Sequence, residues 1–190
     1  MARNSTATRA LLLKAATDEF AQHGIAGARV DRIAAAAGYN KNMLYVHFGS
    51  KDALFDIVFE AAVAEIVDAV PFTADDLPGY AGRLFDFHFS HPQLMRLARW
   101  HSLERGVANA DLAAIAKANS AKSKALAAAQ AAGAVRAELP PGLLITLVVS
   151  MATAWSEGTP EPVTTAGRAA VTARRKAVVQ AVEQLTTSRS

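Results

Sequence analysis

An all-α fold follows from three features of the 190-residue sequence. Alanine is used heavily, the β-branched runs that strands favour are sparse, and apolar residues recur at helical spacing between glycine and proline stops. Hydrophobic residues make up 52% of the chain, enough for one domain with a full core or two modest ones. There is no cysteine, which excludes disulfides and thiolate metal sites and fits a reducing compartment. The longest apolar run, Leu143–Ala154, is 12 residues and is broken by Thr146, Ser150 and Thr153. A bilayer needs about 20, so no membrane span is expected. Arg3, Arg9 and Lys14 are followed by Asp18 and Glu19 where a signal peptide would have its cleavage region, so secretion is not expected either.

The first helix is predicted from Thr6 or Thr8 to Gln22, with Leu11, Leu12, Ala15, Ala16, Glu19 and Phe20 setting its period and the apolar members on one face. Gly24 stops it, and Ile25 turns into the core. A short second helix spans Val30–Ala36, burying Val30, Ile33, Ala34 and Ala37. Gly38 supplies the sharp turn. A third helix spans Lys41–His47, with Asn40 as N-cap and Leu44 and Phe48 as its buried pair, four apart. Ser50 caps a fourth helix, which runs through Leu54, Phe55, Val58, Phe59, Ala62 and Ile66 to Val70, before Pro71.

Beyond Asp75–Asp76, helices are predicted over Leu77–Phe89 and over Pro92–Arg105, where proline takes the first helical position. A long alanine-rich helix starts at Asn109 or Asp111 and reaches Ala132. Another begins at Pro140–Pro141 and passes Leu144, Leu147, Val148, Met151 and Trp155. Glu157–Pro162 is a loop, Thr165–Leu185 a last helix, and Thr186–Ser190 a frayed polar tail.

Charge is unevenly distributed. Residues 1–51 hold seven Lys or Arg against three Asp or Glu, a net of +4, whereas residues 52–190 hold thirteen against fourteen, a net of −1. A basic end of this kind attracts polyanions. The same end carries three helices with a short second one and a glycine turn, the pattern of a helix-turn-helix whose third helix enters the DNA major groove. Its apolar positions leave Lys41, Asn42, Met43, Val46 and His47 free to face outward. Asn42 suits adenine, Lys41 suits guanine O6 or N7 or a phosphate, and Val46 or Met43 suits a thymine methyl. Tyr45, His47 and Lys51 suit phosphates, as does Arg29 just before the second helix, although Arg29 is also placed to pair with Asp31 or Asp52.

The segments FAQHGIAGARVDRIAAAAG and YNKNMLYVHFGSKDALF together resemble the DNA-binding domain of the TetR/AcrR family of bacterial transcriptional regulators. By that resemblance Arg29, Lys41, Asn42, Tyr45, His47 and Lys51 match positions that commonly meet DNA, and Lys41, Asn42 and Val46 match positions that vary with operator sequence. The sequence departs from the commonest pattern at Arg29, where many members have serine or threonine, and at Asn42 and Met43, which replace a small residue and threonine. The resemblance implies a bacterial, cytoplasmic protein with a helix-turn-helix domain over residues 1–50. It also implies a helical ligand-binding and dimerisation domain over residues 51–190.

It further implies a homodimer through the last two helices, a double-stranded DNA operator, a small-molecule effector and no cofactor. Its effector cavity would lie between the fourth helix and the C-terminal bundle, with Phe55, Phe59, Phe85, His88, Phe89, Met95, Trp100, His101, Met151 and Trp155 as candidate lining residues. Ordinary core packing is the competing role for each, and His88, His101 and Glu104 do not have the spacing of a metal set. The expected function is a repressor released from a palindromic operator by an apolar or amphipathic effector. Alternatives are an activator or ligand-independent regulator with the same head, or a helical protein-binding adaptor. No phosphate-cradling loop, metal motif or serine elbow points to an enzyme.

Overall fold

The computed structural model describes residues 2–106, 113–155 and 167–187. Among them are nine α-helices and no strand: α1 (Ala2–Gly27), α2 (Val30–Ala36), α3 (Lys41–Phe48), α4 (Lys51–Ala69), α5 (Leu77–Ser90), α6 (Pro92–Arg105), α7 (Ala113–Ala131), α8 (Pro141–Ala152) and α9 (Arg168–Thr186). The described residues fall into two compact units. The first takes Met1–Ala64 and Gln93–Leu112, the second Glu65–Pro92 and Ala113–Ser190, so α4 begins in one and ends in the other. The predicted loop at 157–162 and the predicted helix starts at Asn109 or Asp111 and at Thr165 lie outside the described residues.

In the first unit α1 buries Leu12, Ala16 and Phe20, each four residues from the next. Leu11, placed by its apolar character on the same face, is 49% exposed. A step of about 100° per residue separates it from Leu12, and the narrow stripe has room for only one of them. The helix starts at Ala2 rather than at Thr6 or Thr8, with no glycine or proline in between to stop it.

Gly24 breaks α1 at φ +67°, a left-handed conformation that costs glycine little. One further turn follows, closed by the Ala28 N–H donating to the Gly24 carbonyl. The new turn exposes fresh N–H donors, and α6 satisfies them. The Glu104 carboxylate accepts from Ile25 N–H at 3.1 Å and from Ala26 N–H at 2.8 Å. Trp100 Nε1–H donates to the Ala21 carbonyl on the other side of the break. A Cβ at Gly24 would lie 2.7 Å from the Trp100 ring, so the position needs glycine for space as well as for backbone angle.

The start of α2 is likewise held by a distant side chain. Arg29 occupies the N-cap without a side-chain cap bond, and Glu19 of α1 accepts its backbone N–H at 2.8 Å. Arg32 Nε–H donates to the same carboxylate. Burial opposes ionisation of Glu19, but the Arg32 guanidinium and the Arg29 N–H together hold its carboxyl below the usual range. The caps of α3 and α4 are local, as expected. Asn40 Oδ1 accepts from Met43 N–H, and Ser50 Oγ accepts from Ala53 N–H.

In the second unit α5 presents Leu77, Ala81 and Leu84 to the core, with His88 next on the same stripe. Gly82 admits α9 closely: a Cβ there would meet Val179 at 3.1 Å. Beside it Arg175 Nε–H donates to both oxygens of Asp86, at 2.8 and 2.9 Å. The inward face of α9 is Arg174, Val178, Val182 and Thr186. Thr186 therefore does not belong to the polar tail. It is 4% exposed, its hydroxyl donates to the Val182 carbonyl, and its own carbonyl accepts from Arg136 N–H. α8 ends at Ala152 rather than at Trp155, where the Thr153 hydroxyl turns back onto the Val149 carbonyl.

Replacing Glu104 by alanine should leave the Ile25 and Ala26 donors to water and lower unfolding stability by about 1 kcal/mol, typical of a lost N-terminal cap. Urea unfolding measures this, and Glu104→Gln, which keeps an acceptor, should recover part of the loss.

Candidate nucleic-acid interface

α3 is eight residues, roughly 12 Å long, and an α-helix with its side chains, about 10–12 Å across, fits the roughly 12 Å width of a major groove. Leu44 and Phe48 fasten it to the head, being 0% and 6% exposed. At about 100° per residue, the direction opposite that pair is occupied by Val46. Its side chain is correspondingly open to solvent at 69% exposure, high for an apolar group on a packed helix. Asn42 and Tyr45 are exposed toward its side of the helix and Lys41 is exposed at the helix start, whereas Met43 and His47 lie half-buried at the margin. The Gly38 turn at φ +78° and the Asn40 cap fix where this face begins.

Three cations frame the face. Arg29 is exposed, and among the described residues its guanidinium makes no ion pair; Asp31 pairs instead with Lys41 at 3.4 Å, and Asp52 with Arg105 at 3.1 Å. Lys51 is half-buried and donates to the Ala28 carbonyl at 3.2 Å, which brings its ammonium beside the start of α2 and hence beside Arg29. Arg9, which carried no motif signal, lies over the Phe48 ring with its guanidinium carbon 5.4 Å from the centroid. One residue earlier, the buried Thr8 hydroxyl donates to Tyr39 Oη at 3.0 Å, tying α1 to the turn before α3. The only sequence hint of this arrangement was that residues 1–51 are basic as a whole. The tie of Thr8 to Tyr39 is a contact across 31 residues, with no local pattern to betray it.

The candidate effector residues divide between the two units. In the first, the His101 ring stacks on Phe59 at 4.0 Å, and Phe55 stacks on Phe59 at 6.1 Å. Burial, opposed by Asp56 and reinforced by Arg105, lowers the His101 pKa. Trp100 serves the α1 break, and Met95 is half-buried on α6. In the second unit Phe85 packs against Phe89 and edge-on against Trp155, at 6.3 and 6.4 Å. Met151 is half-buried and Phe89 is 46% exposed. Among the described residues His88 Nδ1 is buried without a hydrogen-bond partner, and burial together with the neighbouring His91 pushes the His88 pKa down to about 4, so the ring is neutral at physiological pH. A cleft of about 220 Å³ in this unit is lined by Arg136, Glu138, Leu139, Leu144, Gln184 and Leu185, none of which is a candidate residue.

Among the described residues no group of three or more His, Cys, Asp or Glu side chains could hold a metal ion, and no helix is long and apolar enough to cross a membrane.

Comparison with known proteins agrees with this geometry. Residues 12–58 match the family model described as bacterial regulatory proteins, tetR family, and residues 76–184 match the tetracyclin repressor-like C-terminal domain. The HTH-type transcriptional repressor SCO4008 of Streptomyces coelicolor is 40% identical over 161 residues, covering 84% of this chain and 83% of that protein. The HTH-type transcriptional repressor NicS of Pseudomonas putida is 32% identical over 113 residues, 56% of this chain and 53% of that one. The crystal structure of SCO4942 from Streptomyces coelicolor, 35% identical, superposes with a TM-score of 0.79 over 94% of this chain and 98% of that one. The chain belongs to the tetR family of bacterial regulatory proteins and is a DNA-binding transcriptional regulator.

Proposed function

We propose that the protein is a homodimeric repressor released from a palindromic operator by an apolar or amphipathic small molecule. Residues 1–50 bind DNA and residues 51–190 sense the effector and dimerise. The observation that carries this is the outward face of α3, where Asn42, Tyr45 and Val46 stand exposed on a helix that Leu44 and Phe48 fasten to the head. The relatives SCO4008 and NicS, both named as transcriptional repressors, favour repression over activation.

Within the head, α3 reads bases while Arg29, Tyr45, His47 and Lys51 engage phosphates. One such helix spans too few base pairs for specificity, so a two-fold pair reading two half-sites is the arrangement that α3 requires. Support for a dimer through α8 and α9 comes from their outward faces. Leu143 and Leu147 on α8 are 58% and 43% exposed, four residues apart, and Ala177 and Ala181 stand exposed on α9. An apolar stripe of this kind is suited to burial against its copy.

The effector enters the regulatory region, where Phe85, Phe89 and Trp155 offer aromatic surface and His88 Nδ1 an unused polar atom. Its binding shifts α4, whose first residue Lys51 is tied to the Ala28 carbonyl in the head. The spacing of the two heads changes and affinity falls. This coupling requires the effector to prefer the conformation that binds DNA poorly.

Three measurements test the reading. On operators selected from a random DNA pool, Asn42→Ala should lose discrimination between cognate and mutated sites, whereas Lys51→Ala should weaken both about equally. Equal losses for the two variants on both kinds of site would overturn this division of roles. Sedimentation should show a dimer that Leu147→Glu dissociates, with operator affinity lost although α3 is intact. In a fluorescence anisotropy titration, an apolar or amphipathic compound that raises the melting temperature should weaken operator binding about a hundredfold, about 2.7 kcal/mol. Compounds that bind and leave operator affinity unchanged would refute effector-controlled release.

A further inference from the structure

We propose that each half-site presents α3 with A·T pairs, and that Val46 recognises one of them through the thymine 5-methyl group. This rests on the operator reading above and specifies the class of DNA sequence that the operator contains.

The chemistry of the exposed face is narrow. α3 carries no arginine, glutamine, aspartate or glutamate. Arginine is the commonest reader of guanine, and acidic side chains are the readers of cytosine N4. Lys41 is the one residue of α3 suited to guanine, and its ammonium lies 3.4 Å from Asp31, drawn toward α2. Arg29 and Arg9 belong to the start of α2 and to α1 rather than to the reading helix. The Asn40 amide oxygen is engaged by the Met43 N–H and serves as a cap.

Two exposed residues on α3 remain that have a base-edge partner of their own. Asn42 matches the paired acceptor and donor of adenine, N7 and N6. Val46 has no polar atom, and the only apolar feature in the major groove is the thymine methyl. Met43 could have filled that role, but it is half-buried at the margin, whereas Val46 stands 69% exposed opposite the Leu44–Phe48 anchor. Asn42 and Val46 are four residues apart on one face, about 6 Å along the helix axis and less than two base-pair steps of about 3.4 Å. They therefore meet the same or neighbouring A·T pairs.

Val46, exposed to water in the free protein, gains from burial in the complex only if an apolar group faces it. A methyl meets this need. A guanine or cytosine edge at that position would be desolvated by Val46 without a hydrogen bond in return.

The test uses the full-length protein and duplexes selected from a random pool. The aligned half-sites should share at least one A·T pair, and replacing its thymine by deoxyuridine, which removes only the methyl, should weaken wild-type binding about fourfold. Val46→Ala should bind the thymine and uracil duplexes equally. Wild-type binding that is unchanged by uracil at every half-site thymine refutes the methyl contact while leaving the operator reading intact. So does a Val46→Ala variant that keeps the wild-type preference for thymine. Half-sites without a shared A·T pair would overturn the inference, again without touching DNA binding. A pool that yields no enriched sequence would remove the operator reading and this inference with it.

Discussion

The head is built around a break in its longest helix. Gly24 turns the chain out of α1, and the turn that follows would present unsatisfied N–H groups if nothing met them. Glu104 meets two of them, Trp100 takes the carbonyl of Ala21, and the indole fills the space that a side chain at residue 24 would need. The direction in which the chain leaves the break sets where α2 begins. Glu19 then fixes that beginning by accepting the Arg29 N–H, and α3 follows after one glycine turn. The reading face thus depends on contacts made by a helix some 80 residues away, since Ile25 and Glu104 are separated by 79 positions.

α6 consequently packs with the helices of the head, although it lies in the stretch proposed to sense the effector. Its last turn also holds the start of α4. Arg105 reaches the Asp52 carboxylate and the Asp56 carboxylate, both at 3.1 Å, while His101 lies flat on Phe59. The first turn of α4 meets the head through Lys51 and the Ala28 carbonyl. Any displacement of α4 must therefore disturb either the α6 contacts or the Lys51 tie.

Much of this was legible locally. The Asn40 and Ser50 caps, the Gly24 and Gly38 stops, the proline start of α6 and the extent of α2 are written within a few residues of where they act, and the structure places them there. Of the outward set on α3, Lys41, Asn42 and Val46 are exposed as helical period predicts from Leu44 and Phe48, whereas Met43 and His47 are half-buried and Tyr45, left out of that set, is exposed. Period did not decide between Leu11 and Leu12, because the width of the buried stripe depends on what packs against it. Trp100 had the composition of a ligand-binding residue, yet its hydrogen bond is to a carbonyl 79 positions away. The sequence places Arg29 to pair with Asp31 or Asp52, but each of those carboxylates is taken by another cation. Long-range pairings of this sort leave no periodic trace in a sequence.

Magnitudes decide which of these contacts can transmit a signal. A hundredfold change in operator affinity corresponds to about 2.7 kcal/mol of coupling. The Arg105 pairs are with carboxylates whose side chains are 62% and 49% exposed, and exposed pairs each contribute roughly 0.2–1 kcal/mol. Breaking both would fall short of the requirement, and salt would screen what they supply. The stack of Phe55, Phe59 and His101 is different. Phe59 is 6% exposed, and parting it from the His101 ring of α6 costs about 0.5–1.5 kcal/mol beyond the apolar area uncovered. Area is the larger part, at roughly 25 cal/mol per Å². A shift of α4 large enough to part that stack has the required size without the ion pairs. A shift that leaves the stack intact does not, whatever it does to Arg105. Under the proposed effector-controlled release, the aromatic face between α4 and α6, rather than the charged rim beside it, is therefore where the difference between the two states would be stored.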